Sequence, residues 1–265
     1  MEVIDFEEEL SPEEFLKEKN GEKNNYNNTK KVYFAFLDVL GFSELFSNKE
    51  TRDIWANKYQ KIFTKYFEIM DSSTAICSAI KAKNSYCGQT SDSLYFYTEE
   101  PLVMCEFIRL YAYFSLWAME NDVFFRGGIS KGELYLQSEY QYFGDCVINA
   151  YCLESGISKY PIVSIDTLAY TGLEETLTSP EYDFLVKSNP KTDRSYINPF
   201  AYLDEVVDFG FDGSNIIRFE DVYKLICNNM KKYEYNEKTY SKYLFLKKEL
   251  DEIKKGKNIA TGGDR

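Results

Sequence analysis

Histidine is absent from all 265 residues. That removes Ser-His-Asp triads, Cys-His dyads, His-ligated zinc and any imidazole proton shuttle. Cysteine is sparse, with six residues and no CxxC pair. Several lie in apolar runs and read as small core residues, with reduced thiols the expected state. Basic residues are outnumbered, 31 Lys and Arg against 43 Asp and Glu, for a formal charge of −12. Such a chain is a poor passive binder of nucleic acid backbones or anionic membranes, so neither is expected as a partner. No apolar run approaches the roughly 18 residues of a membrane span. Acidic Glu2, Asp5 and Glu7 replace the basic start of a secretory leader, which predicts a soluble cytoplasmic protein.

Aromatics are plentiful, at 17% with 23 Tyr and 20 Phe, within a 44% hydrophobic total. That is enough to fill a core, so disorder is excluded as the main state. Residues 1–31 read as an acidic appendage and linker. Ser11-Pro12-Glu13-Glu14 is a helix start and Asn24, Asn25, Asn27 and Asn28 form a polar run. Val32–Asp38 is a nearly continuous apolar run, as expected for a central strand. A tight turn around Gly41 follows, then helical pattern from Ser43 to about Met70, interrupted near Ser47-Asn48. Ile80–Cys87 and Ser93–Tyr97 read as strands joined by a Gly88–Asp92 turn. Pro101 opens a helix to about Met119. Val123–Gly128 and Leu134–Leu136 form a strand and hairpin arm, Val147–Leu153 a helix that Asp145 can cap, and Ile162–Ile165 a strand.

This β-α-β-β-α-β order predicts an α+β fold, a ferredoxin-like split β-α-β unit with helices on one face of an antiparallel sheet. Residues 32–166 form the expected core. Residues 167–265 form an extension packed on it, loop-rich over 167–217, then helical over 219–235 and 237–255 with Asn236 as a cap.

Four segments are candidates for chemistry. Asp38 ends the first strand and runs into Val39-Leu40-Gly41-Phe42-Ser43, a carboxylate beside backbone amides that favour an anion. Asp92 lies in a hairpin turn, where Asp is ordinarily structural. The split β-α-β order, however, sets the first and third strands side by side, so the two carboxylates can converge. Two carboxylates with phosphate oxygens suit Mg²⁺ or Mn²⁺. Arg126, in Phe125-Arg126-Gly127-Gly128-Ile129-Ser130-Lys131-Gly132-Glu133, needs a buried partner, either a structural acid or a phosphate. Gly144-Asp145-Cys146-Val147-Ile148-Asn149-Ala150-Tyr151-Cys152-Leu153-Glu154-Ser155 is a turn opening into a helix.

In this order the segments resemble class III nucleotidyl cyclases. FLDVLGFSELF at 36–46 is similar to the first metal motif, SDSLYFY at 91–97 to the second with Ser91 where Gly is common, RGGISKGE at 126–133 to the Arg-x-Gly-Ile strand, and GDCVINAYCLES at 144–155 to the helix start. Ile148 and Cys152 replace the usual Asn and Arg, and Gln141 the purine-reading Asp. The spellings, DRSYINP at 193–199 and the Lys242-Tyr243 helix resemble the bacterial Pycsar pyrimidine cyclases.

The resemblance implies cyclisation of UTP to cyclic UMP with release of pyrophosphate, a signal in antiphage defence read by a separate effector. Alternatives are cyclic CMP synthesis, a non-catalytic nucleotide-binding regulator, or a bare ferredoxin-like interaction domain. It implies two Mn²⁺ or Mg²⁺ ions on Asp38, Asp92 and the Val39 carbonyl. Phosphates would meet the amides of Leu40, Gly41, Phe42 and Ser43 together with Arg126. It also implies a head-to-tail homodimer with sites at the interface. Gln89 and Gln141 are candidate base contacts, because a side-chain amide both donates and accepts.

Overall fold

The computed structural model describes residues 29–47, 49–50, 52–138, 141–157, 159–189, 194–205 and 216–261. Residues 1–28, with the expected Ser11 helix start, and the first residue of DRSYINP, Asp193, lie outside them. The elements run β1 (Thr29–Val39), α1 (Phe42–Ser47), α2 (Arg52–Ser72), α3 (Thr74–Lys81), β2 (Ser85–Thr90), β3 (Ser93–Thr98), α4 (Pro101–Glu120), β4 (Phe125–Ser138), β5 (Gln141–Gly144) and α5 (Asp145–Cys152). A single π-helical turn, Leu153–Ile157, follows. Then come β6 (Val163–Ile165), α6 (Thr167–Glu174), α7 (Ser179–Leu185), β7 (Val186–Asn189), β8 (Arg194–Ile197), α8 (Phe219–Lys232) and α9 (Glu237–Thr261).

The sheet order is β2-β3-β1-β4-β6-β8-β7, with β5 paired to β4. Its first four strands are antiparallel and carry the split β-α-β arrangement, so the fold is α+β as the sequence predicts. Period-two alternation sends the two sides of β1 into different surroundings. Tyr33, Ala35, Leu37 and Val39 join the main core with residues of α2 and α4 such as Ile62, Tyr66, Phe107 and Phe114. Val32 and Phe34 face a smaller cluster with Tyr95, Tyr97, Leu134, Cys146 and Ala150. Helices therefore cover both faces, and α5 lies on the side that the sequence reading left open.

Several sequence expectations need correction. Ile80 and Lys81 end a helix rather than start a strand: the Ser73 side chain accepts from Ile76 N at 3.4 Å, and Ile76 and Ala79 supply a buried helical stripe. The hairpin turn therefore shrinks to Ser91-Asp92, and Gln89 becomes a strand residue. Residues 125–138 are one continuous strand, not two arms. The described residues of 167–217 include two helices and two strands. Asp166 caps α6 by accepting from Ala169 N at 2.7 Å, and β8 pairs with β6 in the same sheet. These elements are too short for periodicity to reveal. Helix α4 is also long and apolar enough, by length and composition, to cross a membrane. It sits buried between α2 and the sheet, with Glu106 and Arg109 its only charged residues before Glu120. Among the cysteines, Cys105 and Cys146 are buried and Cys152 is exposed.

The glycine and alanine in RGGISKGE and INAYCLES set the approach of α5 to β4. A Cβ at Gly128 would lie 2.4 Å from the Ala150 carbonyl oxygen and 2.6 Å from Leu153 Cβ. Helix backbone occupies that space, so no side-chain rearrangement relieves it. Asp145, expected as a helix cap, instead accepts from the Glu133 amide of β4 at 2.6 Å, and Gly144 takes the cap position. Gly128→Val is therefore expected to lower stability by about 3 kcal/mol through displacement of α5. The midpoint of urea unfolding checks this; an unchanged midpoint would show that α5 does not need this close seat.

Candidate functional site

Asp38 is the penultimate residue of β1, and its neighbours are fixed by register. It stands opposite Ser93, the first residue of β3, and opposite Arg126 of β4. Directly opposed residues share a face, so the three side chains emerge together, on the side of Phe36 and α5. The Ser93 hydroxyl donates to Asp38 Oδ1 at 3.2 Å, and Arg126 Nη2 donates to Asp38 Oδ2 at 3.3 Å. Asp92 immediately precedes Ser93. Its turn is held by Ser91 at a φ of +55°, a left-handed conformation that Gly adopts more easily. The Asp92 charge acts directly on Asp38, so the two aspartates, 54 positions apart in sequence, converge at one sheet end.

Arg126 also meets Glu154, whose side chain is only 4% exposed, with Nε 2.6 Å from Oε1. The N–H is not aimed at that oxygen, and both atoms are buried without a hydrogen bond. Beneath the following turn, the Tyr59 hydroxyl is likewise buried and unpartnered, in an aromatic setting of Phe42, Phe46, Trp55 and Phe63. Burial first, then the charges of Asp92, Asp38 and Asp122, push its phenol up. Among the described residues, these three atoms are the buried side-chain polar atoms that lack a partner, and all lie near the aspartate pair. Clustered unsatisfied groups mark a place where an ion, water or ligand completes the hydrogen bonding.

The donor set fits a hard divalent cation in part. Asp38 and Asp92 supply carboxylate oxygens, and Val39, whose side chain is buried in the main core, has only its carbonyl to offer. Among the described residues no three His, Cys, Asp or Glu side chains gather as a self-sufficient metal site. A cation here would need oxygens from water or substrate.

The turn after Asp38 is braced from behind. Gly41 takes a φ of +81° and needs no side-chain room there. The Leu40 amide donates to the Phe124 carbonyl at 2.9 Å, so it is not free to meet a phosphate; the amides of Gly41, Phe42 and Ser43 remain for that role. The Phe124 ring packs edge-on against Tyr243 of α9, and Asn229 of α8 donates to Asp122 at 2.7 Å. The C-terminal helices thus hold the loop that holds the turn.

Neither expected base contact stands beside Asp38 and Arg126: one is at this end of the sheet but on its other face, and the other is remote along the sheet. Gln89 opposes Leu94 and so points to the other face, where its side chain donates to the Ser91 carbonyl at 3.0 Å. Gln141 pairs with Ser138, and twelve strand residues from Arg126 correspond to about 40 Å. The residues that sequence reasoning missed are Glu154, Ser93 and Tyr59. Glu154 stood within the quoted Leu153-Glu154-Ser155 run, but only docking of the helix puts it over Arg126.

Burial and the Asp92 charge lift the Asp38 carboxyl above the usual range, against the pull of Arg126. A raised folded-state pKa makes the charged form a cost at pH values above it, and that cost fades as pH falls through it. Asp38→Asn is therefore expected to melt no lower than the native sequence at pH 7 in chelator. The difference should close as the buffer is taken down through the carboxylate range. Thermal melts across pH check this, and a clearly lower midpoint at pH 7 would mean that Arg126 outweighs burial.

No family model matches the chain, and no curated protein matches it. Similar solved structures include the guanylyl cyclase domain of the RhoGC fusion protein from the aquatic fungus Blastocladiella emersonii, with 18% identity and a TM-score of 0.44, covering 63% of this chain and 94% of that one. The adenylate/guanylate cyclase/hydrolase from Silicibacter pomeroyi has 18% identity and a TM-score of 0.44, over 64% of this chain and 96% of that one. A bacterial light-regulated adenylyl cyclase has 15% identity and a TM-score of 0.41, over 65% and 53%. These structural neighbours are adenylyl and guanylyl cyclase domains, similar to this chain over about two thirds of its length.

Proposed function

We propose that the chain is a nucleotidyl cyclase, with residues 32–166 as its catalytic core, that converts UTP to 3′,5′-cyclic UMP and pyrophosphate. The observation that carries this reading is the convergence of Asp38 and Asp92 beside Arg126, with unsatisfied buried polar atoms around them. Asp38, Asp92 and the Val39 carbonyl would hold two Mn²⁺ or Mg²⁺ ions. Such ions, when bound, lower the pKa of the ribose 3′-hydroxyl and neutralise phosphate charge. Arg126 Nη groups and the amides of Gly41–Ser43 would take phosphate oxygens and set the α-phosphorus in line with the 3′-oxygen. The new 3′-O–P bond forms as the bond from the α-phosphorus to the bridging oxygen breaks. Pyrophosphate leaves, and the hydroxyl proton passes to water, which suits a chain without histidine.

The pyrimidine preference rests on the resemblance to Pycsar cyclases and on glutamine at position 141 in place of the purine-reading acid. Gln141, on β5 opposite the far end of β4, lies too far away to serve the Asp38 of its own chain. A head-to-tail homodimer would let a second copy supply it. In this reading cyclic UMP is an antiphage signal, read by a separate effector protein. A nucleotide-binding regulator is the second reading. It is favoured by Ile148, 63% exposed on α5, and the exposed Cys152, at positions where the resemblance implies Asn and Arg.

Incubation with Mn²⁺ and each of the four ribonucleoside triphosphates, with products identified by mass, separates these readings. Cyclic UMP from UTP is expected, and cyclic CMP would move the assignment to CTP. Nucleotide binding with no cyclic product from any triphosphate would establish the regulator. Asp38→Ala and Asp92→Ala are each expected to lose at least about a hundredfold in rate, as ligands to the catalytic ions would. Full activity in either folded variant would remove the metal assignment.

A further inference from the structure

Resting on the cation reading above, we infer that Glu154 is a positioning residue that draws Arg126 off Asp38 when a divalent cation arrives. The argument starts from how the guanidinium is shared. An arginine satisfied by one carboxylate closes its planar fork on it with two parallel hydrogen bonds. Arg126 does not: Nη2 reaches Asp38 Oδ2 at 3.3 Å, while Nε lies 2.6 Å from Glu154 Oε1 out of hydrogen-bond alignment. The one guanidinium is divided between two acids, with a single long hydrogen bond to Asp38 and no closed fork on either. The Asp92 charge acts on both of these carboxylates, so the guanidinium is shared by an acid pair set beside a further negative charge.

Arg126 therefore occupies the charge position on Asp38 that a metal ion would take. Glu154 is fixed independently of it. The residue sits at the start of the π-helical turn after α5, and the seat of α5 on Gly128 places it over Arg126, with the side chain 4% exposed. A buried acid held by the backbone pulls the guanidinium sideways, away from the Asp38 oxygens. Once a cation neutralises Asp38, that pull has no competitor, and the Nη groups leave Asp38 for Glu154 or for a phosphate beside it. Arg126 opposes cation binding and Glu154 favours it.

The two side chains of this ion pair thus have opposite effects on metal affinity. Because bare charge gives the same signs, action through the arginine further requires that Glu154→Gln lose its effect in an Arg126→Gln background, and an undiminished effect there overturns the inference. Calorimetric titration of the nucleotide-free full chain with MnCl₂ reads this directly. Glu154→Gln, which leaves Arg126 free to close on Asp38, is expected to weaken Mn²⁺ binding about fivefold or more. Arg126→Gln, which removes the competing cation, is expected to tighten it by a similar factor. Shifts in the same direction, or no shift in either variant, overturn the inference. If Glu154→Gln does not fold, Arg126→Gln decides alone: a tighter site supports the inference, and an unchanged or weaker one overturns it. Asp38→Asn separates the two levels. If it binds Mn²⁺ as the native sequence does, the cation reading itself fails; if it abolishes binding while the pair has no effect, only the role of Glu154 fails.

Discussion

Backbone hydrogen bonding in the centre of the sheet sets where every candidate side chain can stand. With β1 antiparallel to both β3 and β4, Asp38 has Ser93 on one side and Arg126 on the other, and the Ser91-Asp92 turn delivers Asp92 to the same end. A slip of one residue in either pairing would send one of these side chains to the opposite face. The apolar alternation of β1 prevents that slip. Leu37 and Val39 are buried in the main core on one face, and each such side chain contributes about 1.5–3 kcal/mol that a shifted register would lose.

Around that register the molecule is braced from two directions. From the sheet face, α5 docks on β4 so closely that only glycine fits at position 128, and the turn beyond it carries Glu154 to Arg126. From the far end, the stack of Tyr233 on Tyr243 in the α8–α9 hairpin and the contact of Tyr243 with Phe124 fix the loop whose carbonyl holds the Leu40 amide. The arrangement concentrates rigid packing under a cluster of like charges. Asp38 and Glu154 both have their carboxyls raised first by burial, with Arg126 opposing the shift. Strained electrostatics in a well-packed frame is the pattern expected where function rather than stability selects the residues.

The end of the sheet beyond α5 is different in character. Gln141 of β5 pairs with the end of β4 remote from Asp38, and the exposed side chains of Phe143, Ile148 and Tyr151 lie on β5 and α5.

The sequence by itself determined the apolar first strand, the long buried helix opened by Pro101, the Asn236 cap and the split β-α-β order, because hydrophobic period and capping chemistry are local. It also offered Asp38 and Arg126 as candidates, since a carboxylate at a strand end and a charge inside an apolar strand stand out locally, whereas Asp92, in a turn where Asp is ordinarily structural, entered only through the strand order that sets it beside Asp38. Tertiary structure alone decided the rest. Ile80 was drawn into a helix by a serine cap and long-range burial. Short elements after 166 formed only because the sheet offered an edge to β8. Gln89 was turned away by the parity of its strand, and Glu154 was brought to Arg126 by the fit of a helix on a glycine. Contacts between residues far apart in the chain leave no period to read, and their geometry exists only once the backbone has closed around them.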